Sequence, residues 1–273
     1  VRRVIAAAED YMENKFVTGL KKFLFYAAGL VLIAVGINFS RLSQLGISPV
    51  SSVPGSCNAI WGWSLGTMTI IVYCVLILLQ ILVLRKKFKP LNLLGIPIAV
   101  AFGVLVDLVG VVKNTQFFGI DTSGFGHWLA WLPAPGNYLM RVFYFVLSLL
   151  LIAIGVFLYL RPKWPAMPAE GLAGAISQQT GMKFGNCKTI VDTSMILIAF
   201  LMHFYYILIV TNTFVIDYFK AFVGIESPVS VVVGIGTLIS AVVIGQLVKL
   251  LTKLLGKPLD NFLFKKKKEE PKA

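Results

Sequence analysis

Six long apolar runs constrain this chain more than any other feature. They cover roughly residues 22–44, 66–84, 91–112, 141–160, 189–210 and 231–251. A run of about 18 or more apolar residues is long enough to cross the hydrocarbon core of a bilayer as a helix. Backbone polar groups in lipid must be satisfied internally, and a helix does that within one segment. The composition agrees: 58% of residues are hydrophobic, 14% are charged, and the mean hydropathy is +0.84. A soluble domain carries about a quarter charged residues. The expectation is an all-α polytopic membrane protein with six transmembrane helices. The opening "VRRVIAAAEDYMENKFVTGLK" is mixed in charge and has no cleavable apolar core, so the first run is expected to stay in the membrane.

The net charge of +13 has a position-dependent meaning. With the N-terminus inside, Arg2, Arg3, Lys15, Lys21, Lys22, "RKKFK" (85–89), Arg161, Lys163, Lys183, Lys188 and the tail "KKKK" (265–268) all fall on the cytoplasmic side. Only Arg41, Lys113, Arg141 and Lys220 fall outside. That asymmetry is the positive-inside bias. It implies cytoplasmic termini and a basic tail attracted to anionic lipid, not a nucleic-acid surface. Cys57, Cys74 and Cys187 are odd in number and scattered, so no disulfide framework is expected. His127 and His203 lie far apart, and no metal-ligating cluster is legible. No P-loop, HExxH or GxSxG motif is present, and "GIG" (234–236) follows no strand, so neither catalysis nor a cofactor is expected.

The chain resembles itself at an offset of 119 residues. "PVSSVPGSCNAIWGWSLG" falls on "PAEGLAGAISQQTGMKFG" without a gap. Pro49/Pro168, Gly36/Gly155, Gly55/Gly174, Gly62/Gly181 and Gly66/Gly185 coincide. Apolar identities between membrane helices are cheap, but a proline and four glycines in register are not. Each half then holds three spans. An odd number turns the second half upside down, which is the architecture of many secondary transporters. The expected organisation is a cytoplasmic segment 1–21, membrane repeat 22–113, extracytoplasmic connector 114–140, membrane repeat 141–255 and basic tail 256–273.

Within each half a proline opens a short polar-striped segment. Pro49 to Trp61 and Pro168 to Thr180 are thirteen residues each, and Gly62 and Gly181 follow as stops. Thirteen residues rise about 20 Å, short of the hydrocarbon core, so each is a half-helix dipping into the membrane or one lying on it. Ser48 is placed to cap the first. At 100° per residue, Ser51, Gly55, Asn58 and Gly62 form one stripe, and Glu170, Gly174, Ser177 and Gly181 form the other. The glycines admit a neighbouring backbone, and the polar members line a wet cavity or only pack. The candidate solute-binding set is Ser48, Ser51, Ser52, Asn58, Glu170, Ser177 and Gln178, with Gly55, Gly62, Gly174 and Gly181 as helix contacts. A carboxylate at membrane depth is a functional candidate by default, which makes Glu170 and Asp107 the candidates for ion coupling. Gln246 falls opposite Asp107 when "VGIG" (233–236) is laid on "LGIP" (94–97). Asp192 follows Lys188 by one turn and reads as an i,i+4 ion pair. Asn38 is placed to bond a neighbouring helix, and Trp61 and Trp63 to anchor at the interface.

"LGISP" (45–49), "GWSLGTMTIIVYCVLILL" (62–79) and "GIPIAVAFGVLVDL" (95–108) resemble the YczE/YitT-type family of bacterial integral membrane proteins. Leu45, Gly46, Ser48, Pro49, Gly62, Gly66, Gly103 and Asp107 carry the likeness, which extends over about residues 25–250. The second half departs from it, with Trp164, Pro165, Met167 and Pro168 in place of the Leu-Gly-Ser-Pro pattern. The resemblance implies a polytopic protein of the bacterial inner membrane and says little about substrate. The function expected from all of this is a secondary transporter of a small polar or anionic solute, with its site between the two short helices. The alternative is a substrate-binding or accessory membrane subunit that depends on a partner.

Overall fold

The computed structural model describes residues 2–110, 116, 117, 120, 121, 129, 131–206, 217, 220, 222 and 232–263, with backbone alone for 2–15, 91, 116, 117, 120 and 121. Eight helices are complete within it: α1 Arg2–Ser43, α2 Pro49–Trp61, α3 Leu65–Leu84, α4 Gly95–Val109, α5 Tyr138–Leu160, α6 Pro168–Thr180, α7 Phe184–Tyr205 and α8 Ile235–Leu263. Six segments are long and apolar enough to cross a membrane: Phe16–Ser43, Leu65–Lys87, Asn92–Val109, Tyr138–Leu160, Phe184–Tyr205 and Ile235–Leu263. These are the six runs expected; most ends move by a few residues, and the sixth runs on to Leu263 rather than 251. The all-helical expectation needs one addition. In the connector, Gln116–Phe117 (β1) pairs antiparallel with Ile120–Asp121 (β2). Helix α1 also runs unbroken through position 21, and α8 through position 255, so neither expected segment boundary is a helix end.

The central contact is between α1 and α5. A Cβ on Gly29 would lie 2.6 Å from Tyr159 N and 2.8 Å from Gly155 O, and one on Gly36 would lie 3.1 Å from Ser148 O. The lower number on one helix meets the higher on the other, so the two run antiparallel. Backbones this close gain dispersion contact along their length, the main source of helix affinity where solvent is apolar. Ile33 and Ile152 fill the same seam and are buried.

The remaining spans flank this pair. Asn38 Nδ2 donates to Val106 O at 3.0 Å, tying α4 to α1 as the sequence suggested. Tyr73 of α3 stacks on Phe102 of α4, ring centroids 6.1 Å apart. Phe145 of α5 meets Gly236 of α8, and Arg161 pairs with Asp260 at 3.0 Å. All three cysteines are free.

The turn after α1 explains much of "LGISP". Gly46 has φ +114°, and a Cβ there would lie 2.5 Å from Thr237 Oγ1 and 2.7 Å from Gly234 N. Only glycine suits both the conformation and the approach. The strand of chain that results exchanges backbone bonds with the entry to α8: Ile47 N to Val232 O at 3.1 Å and Gly236 N to Leu45 O at 2.9 Å.

Candidate functional site

Helices α2 and α6 span the thirteen residues expected. Proline stands first in each, where no hydrogen bond is lost. Gly62 and Gly181 close them with φ +74° in the left-handed region, donating to Asn58 O and Ser177 O at 2.9 Å. A polar side chain binds each C-terminal turn: Asn58 Nδ2 donates to Trp63 O at 2.5 Å and Ser177 Oγ to Met182 O at 2.7 Å. Both helices are buried over their first turns and emerge at their last. The unpaired N–H groups of the first turn, which carry partial positive charge, therefore point into the protein.

The same two spans hold both short helices. Helix α2 lies against α3 and α7, and α6 lies against α3 and α7. Ser56 Oγ of α2 donates to Ala199 O of α7 at 3.0 Å. Gln80 Nε2 of α3 donates to Pro168 O of α6 at 2.9 Å, with Gly171 of α6 closing on the same amide. Tyr26 Oη donates to Pro165 O at 3.0 Å and pins the chain entering α6 to α1.

Glu170, in the first turn of α6, is buried. Its Oε1 lies 3.2 Å from Lys188 Nζ on α7, and Lys188 is also 2.7 Å from Asp192 Oδ1. Glu170 Oε2 and Tyr159 Oη of α5 are buried, and no other group among the described residues satisfies either. The i,i+4 pair was legible in the sequence. The tie from Lys188 to Glu170 was not, although a signal existed. Only residues 181–183 separate α6 from α7. So short a link folds α7 back along α6 and brings its second and third turns toward the first turn of α6.

The other candidates do different work. Ser48 occupies the cap position of α2 but makes no side-chain cap bond; its Oγ donates to Ser51 Oγ at 3.2 Å instead, and the turn is closed by Ser51 N to Ser48 O at 3.0 Å. Ser52 Oγ donates to Pro49 O at 2.6 Å. These three hydroxyls are buried, and these bonds keep them within the first turn of α2. Asn58 accepts from Arg41 at 2.8 Å. Gln178 is exposed. Gly55 is closely packed, where a Cβ would lie 2.8 Å from Val232 Cγ1 and closer still to Ile47. Gly174, Gly62 and Gly181 correct the expectation of helix contacts, because a Cβ at each would meet no atom of the described residues within 4 Å. The close approach on α6 is at Gly171, one turn earlier.

Asp107 is a helix cap. Its Oδ2 accepts from Ser64 Oγ at 2.5 Å and its Oδ1 from Gly66 N at 2.8 Å, while Ser64 Oγ accepts from Thr67 N at 3.0 Å. A carboxylate on the first N–H groups of α3 satisfies orphan donors and complements the dipole. Gln246 is exposed on α8 and does not mirror it. Asp107→Ala is expected to cost about 1–2 kcal/mol, the usual loss for a removed cap. Thermal unfolding of the purified protein checks this, with Asp107→Asn intermediate between the two. Trp61 and Trp63 are exposed beside this end of the protein, as interfacial anchors would be.

Six apolar spans around two buried short helices define a polytopic helical membrane protein. Residues 20–253 match the family of unknown function DUF6198, and the chain belongs to that family. It is 26% identical over 152 residues to the uncharacterised protein YyaS of Bacillus subtilis (strain 168), covering 55% of this chain and 66% of the relative. It is 26% identical over 161 residues to the uncharacterised membrane protein YczE of the same organism, covering 59% of this chain and 65% of the relative. The matches thus span just under two thirds of each relative's length. No solved structure matches.

Proposed function

We propose that this chain is a secondary transporter of a small polar or anionic solute, built as two inverted three-span repeats in a bacterial inner membrane with both termini in the cytoplasm. One observation carries the reading: two thirteen-residue helices begin on proline, bury their N-termini between the same two spans, and one holds a carboxylate in its first turn. Short helices whose positive ends converge on the interior are how several carrier folds receive anionic groups.

The repeat is supported by contacts that obey the 119-residue offset. Gly29 meets Gly155, and their images Ser148 and Gly36 meet each other. Ile33 meets Gly155, and their images Ile152 and Gly36 do the same. Helix α2 leans on α7 while α6 leans on α3. The bond from residue 58 to 63 recurs from 177 to 182. Solute and bilayer are the partners this reading requires, with anionic lipid at the basic tail, and the solute leaves unchanged.

Uptake of a broad panel of labelled small polar and anionic solutes into proteoliposomes tests the function. Flux of at least one above empty vesicles is expected; none, together with copurification of an ATPase, would favour a partner-dependent subunit. Topology is tested with single cysteines on a background lacking Cys57, Cys74 and Cys187. A cysteine at Trp61 is expected to react from outside and one at Gln179 only after permeabilisation. The same-side result at both positions sinks the inversion.

A further inference from the structure

Two carboxylates and one ammonium meet where α6 packs on α7, so the trio of Glu170, Lys188 and Asp192 carries one excess negative charge. Side-chain exposure is 10% for Glu170, 18% for Asp192 and 24% for Lys188, so water screens the excess poorly. The other titratable groups that face Glu170 are Tyr26 of α1, Tyr73 of α3 and Tyr159 of α5. None of them supplies a positive charge. The cluster also buries two oxygens that no other group among the described residues satisfies, Glu170 Oε2 and Tyr159 Oη. Tyr159 is 1% exposed and its hydroxyl neighbours the Glu170 carboxylate. A phenol O–H donates and an ionised carboxylate accepts, so these two oxygens serve each other while Glu170 is charged.

One proton removes the excess. Placed on Glu170 Oε2, it leaves the cluster neutral and turns the Tyr159 hydroxyl from donor to acceptor. Asp192 is the poorer recipient, because it already holds the ammonium at 2.7 Å against 3.2 Å for Glu170. A metal cation suits the site less, since the ammonium already stands on the other oxygen of the same carboxylate.

We propose that this cluster is a proton-controlled switch in which Lys188 changes partner. With Glu170 ionised, Lys188 ties α6 to α7. When solvent delivers a proton to Glu170 Oε2, Lys188 keeps its own proton, is held by Asp192 alone, and the ionic tie between the helices is released. The switch deepens the transport reading by giving coupling a moving part, but proton binding is measurable in protein that transports nothing.

Infrared difference spectra of the purified protein in nanodiscs, taken as pH falls, read the proton directly. A protonated-carboxyl C=O band is expected, and it is lost in Glu170→Gln. It moves to higher pH in Lys188→Met, where the ammonium no longer favours the carboxylate, and to lower pH in Asp192→Asn, where Lys188 is left to Glu170. Spin labels at Gln178 and Ile190 read the tie. The parent's distance distribution at low pH should match that of Glu170→Gln at neutral pH. A band that persists in Glu170→Gln, or a distance that ignores pH, overturns the switch. So does a distance that responds to sodium at fixed pH, which would assign a metal cation. Intact titration without solute flux would sink the transport reading and leave the switch standing; intact proton-driven flux without titration of Glu170 would sink the switch alone.

Discussion

Glu170→Gln is expected to fold and to exchange solute across the membrane, yet to lose accumulation driven by a pH gradient. Glutamine keeps the shape of the side chain and can still accept from Lys188, and Lys188 retains Asp192 at 2.7 Å. Nothing charged is stranded, which is the usual reason a variant of a buried ion pair unfolds. What the variant lacks is a carboxyl that takes and releases a proton. If one proton accompanies one neutral solute, a gradient of about one pH unit sustains at most about tenfold accumulation, since about 1.4 kcal/mol corresponds to a factor of ten. The variant should show none of it. Counterflow with unlabelled solute and uptake after a pH jump, on the same vesicles, separate the two properties. Parental accumulation would remove Glu170 from the coupling step, and the capping geometry of Asp107 makes that residue a poor substitute.

Gly29→Leu is expected to abolish recovery of folded protein. A Cβ at this position lies 2.6 Å from Tyr159 N and 2.8 Å from Gly155 O, and both are backbone atoms of α5 that have nowhere to go. Overpacking ordinarily costs about 1–3 kcal/mol. A leucine driven into a backbone seam stands at or above the top of that range and separates the two helices on which the other spans are assembled. Gly174→Leu is the matched control, because no atom of the described residues lies within 4 Å of its Cβ position. Monodisperse yield in detergent and thermal unfolding compare the two. Normal folding of the Gly29 variant beside collapse of the Gly174 variant would mean that the α1–α5 crossing is not the seam.

What could be read before the structure divides along a physical line. Span existence follows from run length alone, because lipid demands continuous helices, and all six runs were legible. The two short helices were legible to the residue, since Pro49 and Pro168 lose no hydrogen bond at the first position of a helix and Gly62 and Gly181 supply the left-handed residue that ends one. Side-chain partners were not legible in the same way. A helical wheel put Gly174 in the same stripe as Gly55, but a wheel describes one helix and says nothing of what lies opposite. Gly55 found Ile47 and Val232; Gly174 found none of the described residues, and Gly171 took the contact with Gln80. Asp107 looked like a cavity residue until Ser64 and Gly66 were seen to meet it across 43 and 41 positions of chain. Lys188 was read with its neighbour on the helix and not with Glu170, the partner across the turn.

The crossed support of the short helices has a consequence for how the protein is made. Helix α6 emerges from the ribosome when α3, with Gln80, is already in place to receive Pro168. Helix α2 has no such luck: the carbonyl of Ala199 that receives Ser56 lies 143 residues downstream. At about 5–20 residues per second, α2 waits on the order of ten seconds after synthesis before its final neighbour exists. During that interval a segment with three serines and two prolines has α3 beside it but lacks α7. Nascent chains halted before residue 199 should therefore leave the α7-facing side of α2 open to membrane chaperones or to proteolysis, whereas α6 finds α3 in place when it appears and gains α7 directly after it.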